Sequence, residues 1–190
     1  MNNSPFGKHT GFTLIELVIG MTILVIGVVS IFSLAVFSIH LNQENMTKVQ
    51  AIELAREGLE MVRNIRDSNW KNNYPFTGGA DKWGASFDTP QTVIISPSFA
   101  PDAQGTVWPW KVSPVLVSEA TKETYRLKTV LRGGVPLFTH EDLPGAVNSP
   151  FYRYISVTPK DDHTLEVTAT VLWRGKRIDL TTLLTNWKKI

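Results

Sequence analysis

Glu16 is the first residue of this chain whose chemistry calls for an explanation. It is a lone carboxylate at the start of an apolar run that continues from Leu17 to Leu41 without a formally charged side chain, with Gly11 shortly before it. An acid in such surroundings must find a hydrogen-bonded or cationic partner, because a charge at the centre of a membrane helix costs about 2.5–3.5 kcal/mol on insertion scales. Elsewhere the reactive residue types do not assemble. His9, His40, His140 and His163 are scattered without ligand spacing, and His140-Glu141-Asp142 reads as a surface loop before Leu143-Pro144-Gly145 rather than a metal site. Asp81, Asp88, Asp161 and Asp162 lack the order of a calcium loop, and no nucleophile-elbow or phosphate-loop pattern is present. With no cysteine, thiol nucleophiles, thiolate metal sites and disulfides are excluded. The expectation is a chain that is not an enzyme and takes no cofactor or metal.

The elements that would position Glu16 are legible from patterning. Within the short polar stretch Met1 to Gly11, Lys8 is the only formal charge. The run itself is as long as the roughly 20 residues a transmembrane helix needs. A cleaved secretory signal would have a shorter apolar core followed by a small-residue site, whereas His40-Leu41-Asn42-Gln43-Glu44-Asn45 follows here. The segment therefore reads as a retained membrane helix with its N-terminus in the cytoplasm. Met46, Val49, Ile52, Ala55, Leu59, Val62 and Ile65 then recur at spacings of three and four between charged residues. No proline interrupts Phe12 to Trp70, so one helix is expected from Phe12 to about Asp67, some 80 Å long at about 1.5 Å per residue. Gly20, Gly27 and Ser30 are read equally as a small-residue face for close helix contact and as the ordinary glycine content of a membrane helix.

Past Gly79 the pattern changes to short β-type runs: Gln91–Ser96, Val107–Val117, Thr124–Leu131, Phe151–Thr158, Thr164–Trp173 and Arg177–Leu184. Leu165, Val167, Ala169, Val171 and Trp173 alternate with polar residues, and Arg174-Gly175-Lys176 turns the chain into a C-terminal hairpin. Prolines demote the earlier strands to edges or loops. The fold class is α+β, a long N-terminal helix packed on a C-terminal antiparallel sheet. Trp83, Trp108, Trp110 and Tyr74 are candidates for either core or an exposed binding surface. The formal charge of +2 gives no basic stripe, so no nucleic-acid partner is expected.

The segment Gly11-Phe12-Thr13-Leu14-Ile15-Glu16-Leu17-Val18-Ile19 resembles the processing signal of type IV prepilins and type II secretion pseudopilins. The resemblance continues in Ala51-Ile52-Glu53-Leu54-Ala55-Arg56-Glu57-Gly58-Leu59-Glu60 and in the ending Leu184-Thr185-Asn186-Trp187. It implies cleavage between Gly11 and Phe12 by a prepilin peptidase that also methylates Phe12. Glu16, one helical turn on, would then meet the new amine of its own or a neighbouring chain and set assembly register. The implied divisions are a leader over 1–11, an assembly helix over 12–41, an amphipathic continuation over 42–67 and a β-rich periplasmic or extracellular domain over 68–190.

The resemblance also implies the partners: the peptidase, other pilin subunits, an inner-membrane assembly platform and the membrane itself. The protein would sit in the cytoplasmic membrane and then in a filament or at the cell surface. A helix-kinking proline and a C-terminal disulfide loop, common in major pilins, are missing, which favours a minor pilin or a pseudopilin. A secretion pseudopilin and a membrane-anchored, adhesin-like binding module stand as alternatives.

Overall fold

Helix α1 runs without interruption over Leu14–Lys71 in a computed structural model that describes residues 13–71, 87–97 and 110–186. The chain divides into two units, Met1–Thr47 and Lys48–Ile190. In the first, every described side chain from Thr13 to Met46 is exposed. In the second, Ala51, Leu54, Ala55, Gly58, Met61, Val62 and Ile65 are buried at helical spacing against the sheet. The buried stripe is therefore rotated from the expected one: Met46 and Val49 stay exposed, and Ile52 and Leu59 are only partly covered. Small residues explain the rotation, since Ala51, Ala55 and Gly58 let the helix approach the strands closely. A Cβ placed on Gly58 would lie 3.4 Å from Ala169 Cβ, Arg153 Cδ and Ile155 Cδ1.

The helix continues one turn past the expected end near Asp67, because Asn69 and Trp70 belong to the core. Trp70 Nε1 donates to Asn186 Oδ1 at 3.2 Å, and the Arg66 guanidinium sits 4.5 Å from the Trp70 ring. Asn186 in turn donates its main-chain N–H to the His163 carbonyl at 2.7 Å. One asparagine thus ties the helix terminus to the C-terminal hairpin.

The sheet is antiparallel: β1 (Gln91–Pro97), β2 (Trp110–Pro114), β3 (Arg126–Arg132), β4 (Val135–Thr139), β5 (Val147–Asp161), β6 (Thr164–Trp173) and β7 (Lys176–Thr185). Strand β5 organises it. One edge of β5 pairs with β6 from Phe151 to Asp161; the other pairs first with β3 and then, from Ile155 to Val157, with β1. The sheet therefore forks into a β1–β2 ribbon and a β3–β4 ribbon, and the fork is tied where the His140 N–H donates to Ser96 Oγ at 3.2 Å.

Two features depart from the sequence expectation. Strand β5 extends through Pro150 and Pro159, which the ladder accommodates by interruption: β6 pairing begins at Phe151, and a register shift follows Pro159. Strand β4, bearing Pro136, was not expected. It returns through Gly133 and Gly134, whose φ values of 60° and 82° supply the two left-handed residues of a tight hairpin turn. The C-terminal hairpin turns the same way at Arg174 and Gly175, with φ of 44° and 74°.

Arg153 is the unusual core residue. It is fully buried on β5 beneath the helix; its Nη1 donates to the Leu54 carbonyl at 3.1 Å and to Glu57 Oε2 at 2.9 Å. Burial pulls the guanidinium below its ordinary value while the Glu57 carboxylate opposes that shift.

Candidate functional site

The first turn of α1 is built by Thr13 and Glu16. The Thr13 N–H and hydroxyl both donate to Glu16 Oε2, and the Glu16 N–H donates to Thr13 Oγ1, each at 3.4 Å. This is a reciprocal capping box, a Thr-x-x-Glu pattern that satisfies N–H groups the helix itself leaves unpaired. Placing the carboxylate in the first turn also sets negative charge against the positive end of the helix dipole. Thr13 was not singled out as a functional residue, although its hydroxyl three positions before Glu16 was the readable signal. Both bonds to the carboxylate end on Oε2, so Oε1 remains open to a cation. Gly11 and Phe12 lie outside the described residues.

Beyond the cap the helix presents apolar side chains on every side. Leu14, Ile15, Met21, Ile23, Ile31, Phe32 and Leu34 are each 66% exposed or more in this unit. The segment is long and apolar enough to cross a membrane. Two of its hydroxyls are satisfied within the helix: Thr22 Oγ1 donates to the Val18 carbonyl and Ser30 Oγ to the Ile26 carbonyl, both at 2.8 Å. Back-bonding of this kind suits a helix surrounded by hydrocarbon, where an unpaired polar group is expensive. Nothing lies within 4 Å of a Cβ built on Gly20 or Gly27, so that face is open to a neighbouring helix.

No family model, curated protein or solved structure matches the chain. Its architecture is nonetheless pilin-like in its own right: a long N-terminal apolar helix whose later turns pack on an antiparallel sheet.

The remaining candidates have structural surroundings. His140 is largely buried, with Nδ1 3.3 Å from the Arg126 carbonyl; desolvation, helped by the nearby Arg153 charge, pushes its pKa down to about 3. Glu141 pairs with Lys111 at 3.0 Å and Asp142 with Lys128. Asp161 Oδ1 accepts the His163 N–H at 2.8 Å. Among the described residues no three His, Asp or Glu side chains converge as metal ligands. Trp110 packs against the core from the edge strand β2, while Tyr74, Asp81, Trp83 and Trp108 lie outside the described residues.

Proposed function

We propose that this chain is a pilin-like subunit, most like a minor type IV pilin, that enters a filament after proteolytic maturation. The observation that carries the reading is the helix Leu14–Lys71, apolar and exposed in its first half, with its only acid in that half held at the first turn by Thr13. An apolar surface on all sides of a helix is stable only in lipid or among other helices, and a filament subunit occupies both settings in succession. Cleavage after Gly11 would create a cationic amine on Phe12, directly before the residue whose N–H already touches the Glu16 carboxylate. That amine would complete a charge-assisted contact, within the chain or between neighbours through Oε1.

In this reading the protein is a substrate of the peptidase and methyltransferase and has no catalysis of its own. Its partners are other subunits and an assembly platform in the cytoplasmic membrane. A type II secretion pseudopilin would use the same segment in the same way. The test is replacement of Gly11 by a bulky residue: the reading predicts an unprocessed, membrane-bound precursor, and normal maturation of Gly11→Val would remove its basis.

A further inference from the structure

Side-chain alternation gives β5 two faces. Arg153, Ile155 and Val157 point to the helix and are buried, so Tyr154, Ser156 and Thr158 point to the opposite face. Towards Tyr154 that outer face is closed by the 3-10 turn Lys122–Tyr125, whose Tyr125 ring meets Tyr154 edge-on with centroids 5.5 Å apart. Towards Thr158 it stays open.

Strand register places Thr92 opposite Ser156, Ser156 opposite Thr168, and Thr168 opposite Thr181, a row of hydroxyls straight across β1, β5, β6 and β7. The row is hydrogen-bonded in two pairs, Thr92 with Ser156 at 3.2 Å and Thr168 with Thr181 at 2.9 Å. Each hydroxyl has one donor and two acceptor positions, so paired hydroxyls keep capacity for a ligand. Solvated threonines are ordinary on a one-sided sheet. This face differs because it is not flat at the β1 end.

There the stretch Pro114–Val117 rises beside β1, fixed by the Val115 N–H donating to the Thr92 carbonyl at 2.9 Å. It walls a groove of about 640 Å³ that is also lined by Thr92, Ser156 and Thr158, with Pro90 and Gln91 at its edge of β1. That volume lies within the roughly 300–1,000 Å³ of small-molecule sites. No charged side chain lines the groove among the described residues. Its wall bears Leu116, 82% exposed.

We propose that this groove binds a neutral saccharide chain, laid along the hydroxyl row with its apolar ring faces against Leu116. An array of neutral donors and acceptors beside an apolar wall matches a polyhydroxylated, uncharged ligand. An anionic or cationic ligand would bury its charge without a counter-ion. The site lies within the Lys48–Ile190 unit and is independent of how the apolar helix is used.

The test is titration of the full-length chain, in phosphocholine micelles free of sugar headgroups, with neutral hexasaccharides of glucose, mannose and N-acetylglucosamine. At least one should bind with Kd below about 1 mM. Ser156→Ala with Thr158→Val should weaken it at least about tenfold while circular dichroism stays unchanged, since buried sugar hydroxyls would lose their partners. If that double variant unfolds, Leu116→Asp, at an exposed position, serves instead and should weaken binding similarly. Absence of binding to all three sugars, binding indifferent to the groove substitutions, or occupancy of the groove by a neutral hexapeptide instead would each overturn the proposal.

Discussion

Arg153 on β5 holds Glu57 on α1 at 2.9 Å while its own side chain is fully buried. The same nitrogen reaches the Leu54 carbonyl, so a strand residue grips the helix by backbone and by charge together. Glu57 is 37% exposed and offsets the desolvation of Arg153 only in part. Glu57→Gln should therefore destabilise the sheet unit by about 3 kcal/mol, because it leaves a buried cation without its counter-charge. Arg153→Met in the same chain should recover most of that loss. Thermal or chemical denaturation of the two variants decides the point; a double variant no more stable than Glu57→Gln would show that the pair is not the source.

His140 gives a pH signature. Its pKa falls from the ordinary 6.5 to about 3 on folding, so the unfolded chain binds a proton there that the folded chain refuses. Its contribution to stability is complete above pH 6.5 and is lost progressively as the pH falls towards 3, on the order of a few kcal/mol in all. Denaturation midpoints measured across that window should drop steeply for the natural chain and less steeply for His140→Phe. Parallel curves would contradict the burial of a neutral imidazole.

Gly58 separates close approach from helix propensity. A methyl group there makes ordinary contacts with Ala169, Arg153 and Ile155, and alanine favours the helix by about 1 kcal/mol over glycine. Gly58→Ala should be neutral or slightly stabilising. Gly58→Leu should cost more than about 2 kcal/mol by forcing the helix from the sheet. Equal stability of the two variants would show that the helix–sheet interface has room for a large side chain at this position.

Thr13→Val removes the capping hydroxyl and leaves Glu16 in place. The first turn should fray, at a cost of about 1 kcal/mol, seen as faster amide exchange at Leu14 to Leu17 in micelles. Glu16→Ala should fray the turn and also reduce filament incorporation, while Thr13→Val should leave incorporation largely intact. A matching loss of incorporation in both variants would reduce Glu16 to a helix cap.

Much of this was readable in the chain, for local reasons. The hairpin of β6 and β7 declared itself through strict alternation and a glycine turn. The helix declared itself by length and by the absence of proline. Strand β4 was hidden because Pro136 and an exposed Val135 spoil its pattern, although Gly133-Gly134 marked the turn. The buried stripe was misplaced because larger side chains, Met46 and Val49, outweighed Ala51 and Gly58 in the periodicity, whereas packing distance favours the small ones. Arg153 could not be anticipated as core, since its partner Glu57 lies 96 residues away. At the candidate site, Thr13-x-x-Glu16 carried a capping box in plain view, overshadowed by the question of what else Glu16 might meet.

The central claim is that the mature chain begins at Phe12, with a new amine for which Glu16 is the proposed partner. Intact mass and N-terminal fragmentation of the protein isolated from the cells that make it test it directly. The account predicts a chain that starts at Phe12 and carries one added methyl group on the amine. A mature chain that retains Gly11 and the residues before it, or one cut downstream of Leu41, would contradict it.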